Sequence, residues 1–271
     1  MSLASVSKAT NPIAVAAGAP GRLSTGTVHV WFLDRTGPPE NRWLEVLDAQ
    51  EQERAMCFRT PDQRNAFAAA HALVRTALSA YGGGDPADWR FAISREGRPS
   101  VLGDSGLAFS LTHSGTWAAV AISINPALGI DLEPVRLERD SLPLARRFFG
   151  ASETTWLERL APGERAAGFS SLWTVKEAVL KARGSGLTEP LRSVEVDLDP
   201  SGHPVSVRGP GAPWALCSWS PEPGWCAAVA MQAEGALNVT TFRARALGPA
   251  VAAPELGPEA PRGGAPAAEP Q

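Results

Sequence analysis

Gly115-Thr116-Trp117-Ala118-Ala119-Val120-Ala121 returns near the other end of the chain as Gly224-Trp225-Cys226-Ala227-Ala228-Val229-Ala230. What precedes each copy is repeated too. A helical stretch with Ala70-His71-Ala72-Leu73-Val74-Arg75 leads to Gly97-Arg98-Pro99 ahead of the first copy. A second, ending near Lys181, leads at nearly the same distance to Gly202-His203-Pro204 ahead of the other. Alanine-rich strands can recur by chance, but here the order is the same twice, the mark of an internal duplication. Duplication implies an α+β chain of two similar halves, residues 27–125 and 126–245, each a long helix packed on an antiparallel sheet. The ligand then belongs in the cleft between them.

At the start of the second half, Leu128-Gly129-Ile130-Asp131-Leu132-Glu133 follows the Asn125-Pro126 turn and reads as a strand. Alternation sends Asp131 and Glu133 to one face, with Ile130 and Leu132 on the other. Two adjacent carboxylates repel, and one takes up a proton unless a cation sits between them. Asp-x-Glu alone is a weak pattern, since an exposed strand end with two solvated acids looks the same.

Some forty residues later, Trp173-Thr174-Val175-Lys176-Glu177-Ala178-Val179-Leu180-Lys181-Ala182-Arg183-Gly184-Ser185-Gly186 reads as a helix stopped at Gly184. At about 100° per residue, Trp173, Glu177 and Lys181 share a face, with Leu180 beside Trp173 and Lys176 on its flank. A surface pair of Glu177 and Lys181 would add only about 0.2–0.5 kcal/mol. The indole and leucine beside those charges, with Leu172, Val175, Val179 and Ala182 opposite, describe instead a helix wedged between two packed layers. Charges on such a helix need partners. Three carboxylates and a lysine on two stiff elements suit a hard divalent cation bound to a diphosphate.

With both motifs in one chain, the sequence resembles the 4′-phosphopantetheinyl transferases, in particular their large surfactin-type class. Arg95-Glu96-Gly97-Arg98-Pro99 looks like the family's Gly-Lys-Pro turn, and Phe109-Ser110-Leu111-Thr112-His113-Ser114 looks like its Ser-His-Ser strand. Ala145-Arg146-Arg147-Phe148-Phe149 with Glu153 resembles its Arg-Phe-Phe block, and the resemblance runs from about residue 28 to 235. Thr112 stands where the family usually has serine and Arg98 where it has lysine. A hydroxyl replaces a hydroxyl and a cation a cation, although arginine offers a planar fork.

The resemblance implies pseudo-twofold halves and transfer of 4′-phosphopantetheine from coenzyme A to a serine of an acyl or peptidyl carrier protein, releasing adenosine 3′,5′-bisphosphate. It assigns Asp131, Glu133 and Glu177 to Mg2+, with Mn2+ as the alternative, and Lys181 and His113 to the diphosphate oxygens. It gives Glu177 a second task as the base for the serine proton, directly or through a water on the metal. By position in the family pattern Arg54 and Arg64 meet the 3′-phosphate, while Arg75 packs internally. Gly97 and Pro99 shape the turn under the adenine, Arg98 reaches phosphate or base, and Thr112 hydrogen-bonds nearby. The carrier, commonly acidic around its serine, is expected on Arg136, Arg139, Arg146, Arg147, Phe148 and Phe149.

Composition agrees without identifying a function. The 271 residues, 44% hydrophobic and 20% charged, can bury a sizeable core, and a net charge of −3 gives no reason to expect nucleic acid. Cys57, Cys217 and Cys226 form neither a C-x-x-C nor an even set, which fits a reducing, cytoplasmic compartment. His29, His71 and His203 lack metal-ligand spacing, which argues against a zinc site. No stretch is long and apolar enough to span a bilayer. Residues 1–26 read as a disordered leader, and 246–271, almost wholly Ala, Pro, Gly and Glu, as a disordered tail. A duplicated chain that supplies both halves of its cleft favours a monomer. A binding module without transferase activity would not need all three carboxylates, and a non-enzymatic interaction protein would not bury the Trp173 helix.

Overall fold

The computed structural model describes residues 20–36, 42–138, 140–185, 189–211, 213–244 and 255–256. The leader and tail expected from composition lie outside these residues apart from 20–26, where Leu23 packs on the first core, and Glu255–Leu256.

Two long helices organise the chain. Thr60 begins the first by accepting the Gln63 amide on its hydroxyl, with Pro61 at a position that needs no amide hydrogen. This helix, α3 (Pro61–Gly82), follows the short α1 (Arg42–Glu45) and α2 (Ala49–Met56). The second, α6 (Pro162–Arg183), follows α4 (Leu142–Phe148) and α5 (Ala151–Arg159). It stops where the sequence puts the stop, because Gly184 adopts φ +73° and turns the chain out of the helix.

After each long helix comes a hairpin and then a strand pair. The hairpins are β2 (Phe91–Ile93) with β3 (Pro99–Val101), and β7 (Glu195–Leu198) with β8 (Pro204–Arg208). The pairs are β4 (Ala108–Ser114) with β5 (Trp117–Ser123), and β9 (Trp214–Trp219) with β10 (Trp225–Gln232). The recurring alanine-rich segments are β5 and β10. Antiparallel to them run β1 (Thr27–Asp34) and β6 (Leu128–Pro134), so β1-β5-β4 and β6-β10-β9 share one strand order. The division is not clean at the end of the second half: β11 (Asn238–Arg243) joins the first sheet parallel to β1, with β12 (Glu255–Leu256) outside it. That sheet is therefore mixed, where a purely antiparallel one is expected.

Alternation along the strands builds the layers. Val28, Val30, Phe32, Ala119 and Ala121 meet Leu128, Ile130, Leu132, Ala227 and Val229 in a core shared by the two sheets. The outer face of the first sheet, with Trp31, Leu33, Val120 and Ile122, lies under α3, and that of the second, with Ala228 and Ala230, lies under α6. The far side of α6 is covered as well, by Ala145, Phe149 and Leu157 of the α4–α5 region and by Val194, Val196 and Val207. This is the wedged helix that its two apolar sides predict.

Two contacts position the site. On β6, Gly129 lets α6 approach so closely that a Cβ there would stand 1.9 Å from the Ala178 carbonyl oxygen and 2.6 Å from the Ala182 nitrogen. Where β4 meets β6, three alternate hydroxyls of β4 serve that strand: Ser110 accepts from the Ile130 amide, Thr112 donates to Asp131, and Ser114 donates to Glu133. Among the described residues no helix is long and apolar enough to cross a membrane. Gly129→Ala should lower stability by at least about 1–3 kcal/mol, since backbone atoms must move apart. Urea unfolding followed by tryptophan fluorescence checks this, and an unchanged midpoint would refute the close contact.

Candidate active site

Asp131 is the centre of the site. Its residue is only 3% exposed, held on β6 between β4 and α6. Lys181 Nζ lies 2.6 Å from its Oδ1, and Thr112 Oγ1 donates to the same oxygen at 3.1 Å. Lys181 also donates to Thr112 Oγ1 at 3.1 Å, which closes a triangle of lysine, hydroxyl and carboxylate. The other oxygen, Oδ2, is buried without a hydrogen-bond partner among the described residues. A buried carboxylate oxygen without a donor is costly, so this atom is suited to a cation that approaches it.

Glu133 and Glu177 are half-buried, and the charge of Asp131 acts on both. Burial, then the negative charge of Asp131, pushes the Glu133 carboxyl above its ordinary pKa, with Ser114 Oγ at 3.0 Å, Lys181 and Arg136 acting in the opposite direction. Burial and then Asp131 raise Glu177 as well, Lys181 opposing and Glu133 adding to the rise. The three acids of β6 and α6 therefore act on one another electrostatically. They are not drawn into a closed cage: among the described residues no three Asp, Glu, His or Cys side chains form a ready metal-ligand group. Their chemistry still suits a hard cation, with carboxylate donors, one orphaned oxygen and two acids that resist ionising without compensation.

His113, exposed at the end of β4, borders this group. Partial burial of its ring, then the charges of Arg35, Lys181 and His71, lowers its pKa, so it is neutral near pH 7. Arg64, on the first turns of α3, has a buried Nε with no partner among the described residues, an unmet donor of the kind an anion satisfies. Arg54 is exposed and sits over the Phe67 ring at 5.6 Å. Arg75 is fully buried, donating to Glu51, Asp48 and the carbonyls of Pro86 and Trp89, in keeping with internal packing. Gly97 and Pro99 shape the β2–β3 turn. Arg98 does not project freely from it: its guanidinium donates to the carbonyls of Ala182, Pro126 and Leu128, tying the hairpin to the end of α6 and the start of β6.

A family model described as the 4′-phosphopantetheinyl transferase superfamily matches residues 127–230, the stretch that holds all three acids and Lys181. The chain is also 34% identical over 220 residues to the 4′-phosphopantetheinyl transferase HetI of Nostoc sp., covering 79% of this chain and 91% of that protein. The chain belongs to the 4′-phosphopantetheinyl transferase superfamily. A second relative of this superfamily, the transferase Sfp of Bacillus subtilis, is 32% identical over 202 residues, covering 73% of this chain and 88% of its own length.

Within this transferase fold, the two halves of the Lys176-Glu177 dipeptide point to different duties. Lys176 is fully buried and pairs with Glu153 at 2.8 Å, while also donating to the carbonyls of Leu191 and Val194. Glu153 in turn accepts from the amides of Gly150 and Val196. The helical period places Lys176 on the flank of the Trp173, Glu177 and Lys181 face; what fixes it in the core is a partner on another helix, which periodicity alone does not show. Ser114 is a further residue that the sequence reading passes over. Its signal is the alternation Ser110, Thr112, Ser114, three hydroxyls on one strand face.

A carboxyl whose pKa is raised in the folded state loses stability as pH climbs through that raised value. Glu177→Gln should therefore raise the thermal midpoint of the cation-free protein at pH 7.5, with a gain that shrinks toward pH 5. Melting in a chelator across that range tests it; a lower midpoint at pH 7.5 would mean that Glu177 is well compensated.

Proposed function

We propose that the protein moves the 4′-phosphopantetheine arm of coenzyme A onto a serine of an acyl or peptidyl carrier protein, releases adenosine 3′,5′-bisphosphate, and works as a cytoplasmic monomer. The observation that carries this reading is the buried Asp131 with an orphaned oxygen, beside Glu133, Glu177 and Lys181, in a chain of this superfamily. Asp131, Glu133 and Glu177 would hold Mg2+, or Mn2+ in its stead. Bound there, the ion would offset the negative charge of the diphosphate.

The obstacle to the reaction is charge, since a serine oxygen must approach an anionic phosphorus. Lys181 binds the diphosphate oxygens and stabilises the charge that builds on the leaving phosphate as its bond to phosphorus breaks. His113, neutral near pH 7, donates a ring hydrogen to the same group. Glu177 takes the serine proton, directly or through a water, as the new oxygen–phosphorus bond forms. Thr112 keeps Lys181 and Asp131 in register.

The two halves, read as pseudo-twofold related, form the cleft for the donor. Arg54 and Arg64 take its 3′-phosphate, and the Gly97–Pro99 turn lies under the adenine. Arg98 supports that turn, three of its N–H donors being taken by carbonyls. The carrier docks on Arg136, Arg147 and half-buried Phe148. Arg147 stacks on the Phe148 ring at 5.0 Å, Arg146 is engaged with Glu158, and Phe149 is buried. Arg139 lies outside the described residues.

Incubation with coenzyme A, Mg2+ and an apo carrier protein should add the phosphopantetheine mass to the carrier, and no gain on fatty-acid, polyketide or peptide carriers would reject this function. In the same assay Glu177→Gln should lose at least about a hundredfold in turnover while binding coenzyme A nearly as the wild type does. Near-normal turnover would remove Glu177 from the chemistry. Arg147→Glu should raise carrier KM several-fold with little change in coenzyme A KM, and more than Arg146→Glu does; equal effects would move the docking surface elsewhere.

A further inference from the structure

Arg35, the residue after β1, is a buried cation for which the structure shows little compensation. Its side chain is 6% exposed. One terminal nitrogen donates to the Gly115 carbonyl, and its own backbone amide donates to the Thr116 carbonyl at 2.7 Å. The other terminal nitrogen lies 3.7 Å from Asp62, whose side chain is 87% exposed. That separation is too long for a hydrogen bond, and so exposed a carboxylate is well screened by water. Nε is buried and has no hydrogen-bond partner among the described residues. A guanidinium does not shed its proton, so this charge persists with an unused donor.

Its position gives the charge a purpose. Gly115 and Thr116 form the turn between β4 and β5, directly after His113 and Ser114. Arg35 fastens that turn by two carbonyls, and its charge reaches the His113 ring together with those of Lys181 and His71. The charges of Arg35 and of Lys181 on α6 thus both act on this imidazole.

We propose that Arg35 is a donor-binding residue, which holds the His113 turn in place and gives its unpartnered Nε–H to a phosphate of the donor nucleotide. This rests on coenzyme A being the donor. The phosphate is either the 3′-monoester or the group on the 5′ side, and two ligands separate them.

Calorimetric titration of the full chain with adenosine 3′,5′-bisphosphate and with adenosine 5′-monophosphate, each at low and high salt, tests the assignment. Arg35→Gln should weaken bisphosphate binding at least about tenfold, leave the unliganded melting temperature near that of the wild type, and flatten the salt dependence because one charge contact is gone. A loss confined to the bisphosphate places Arg35 on the 3′-phosphate; a loss for both ligands places it on the 5′ side. Unchanged affinity, or weaker binding with the wild-type salt dependence, overturns the proposal, the latter result leaving Arg35 as a turn clamp only. A wild type that binds neither nucleotide would overturn the donor reading itself. Should Arg35→Gln fail to fold, Arg35→Lys keeps the charge but loses the fork; a several-fold weaker affinity is expected, and none would refute the contact.

Discussion

A carboxylate as deeply buried as Asp131 survives only beside a cation, and in this protein the cation is Lys181, 2.6 Å away. Much of the surrounding architecture serves that pair. The lysine arrives because α6 presses against β6, and α6 can press so closely because residue 129 has no side chain. The helical repeat then places Glu177 one turn back, toward the same acids. Thr112 completes the triangle from a third element, β4, so a displacement of any of the three elements would leave a buried charge poorly matched.

Adjacent residues on α6 meet different surroundings. A step of about 100° turns Lys176 inward to Glu153 and leaves Glu177 half-buried by the site. The Glu153–Lys176 pair is satisfied on every side, by the amides of Gly150 and Val196 and the carbonyls of Leu191 and Val194. Such a pair is costly to break because one charge would remain buried alone. It fastens α5 to α6, and with them Phe148, Phe149, Phe169 and Trp173, whose rings pack at 5.0–6.3 Å. The Phe148–Phe149 segment and the helix that carries Glu177 are thereby packed together.

Several features were legible because they depend on short-range geometry. Alternation on β6 put Asp131 and Glu133 on one face and Ile130 and Leu132 in the shared core. The α6 period grouped Trp173, Glu177 and Lys181, and Gly184 marked its end. The echo of β5 in β10 announced two strand triplets of the same order. Other features escaped. The parallel addition of β11 to β1, the hydroxyls of β4 serving β6, and the carbonyls that occupy Arg98 all join residues far apart along the chain, and no local pattern records such a meeting.

The sequence by itself determined the elements, the residues each presents on a given face, and the family to which their motifs belong, because helix and strand periods fix side-chain direction within a few residues. Only the tertiary structure decided which charges are matched. Lys176 is bound to Glu153 and Arg98 to backbone carbonyls, whereas Asp131 Oδ2 and the Nε atoms of Arg35 and Arg64 are buried without a partner among the described residues. The physical reason is that the energy of a charge depends on burial and on the nearest opposite charge or donor, and both are set by how distant elements pack.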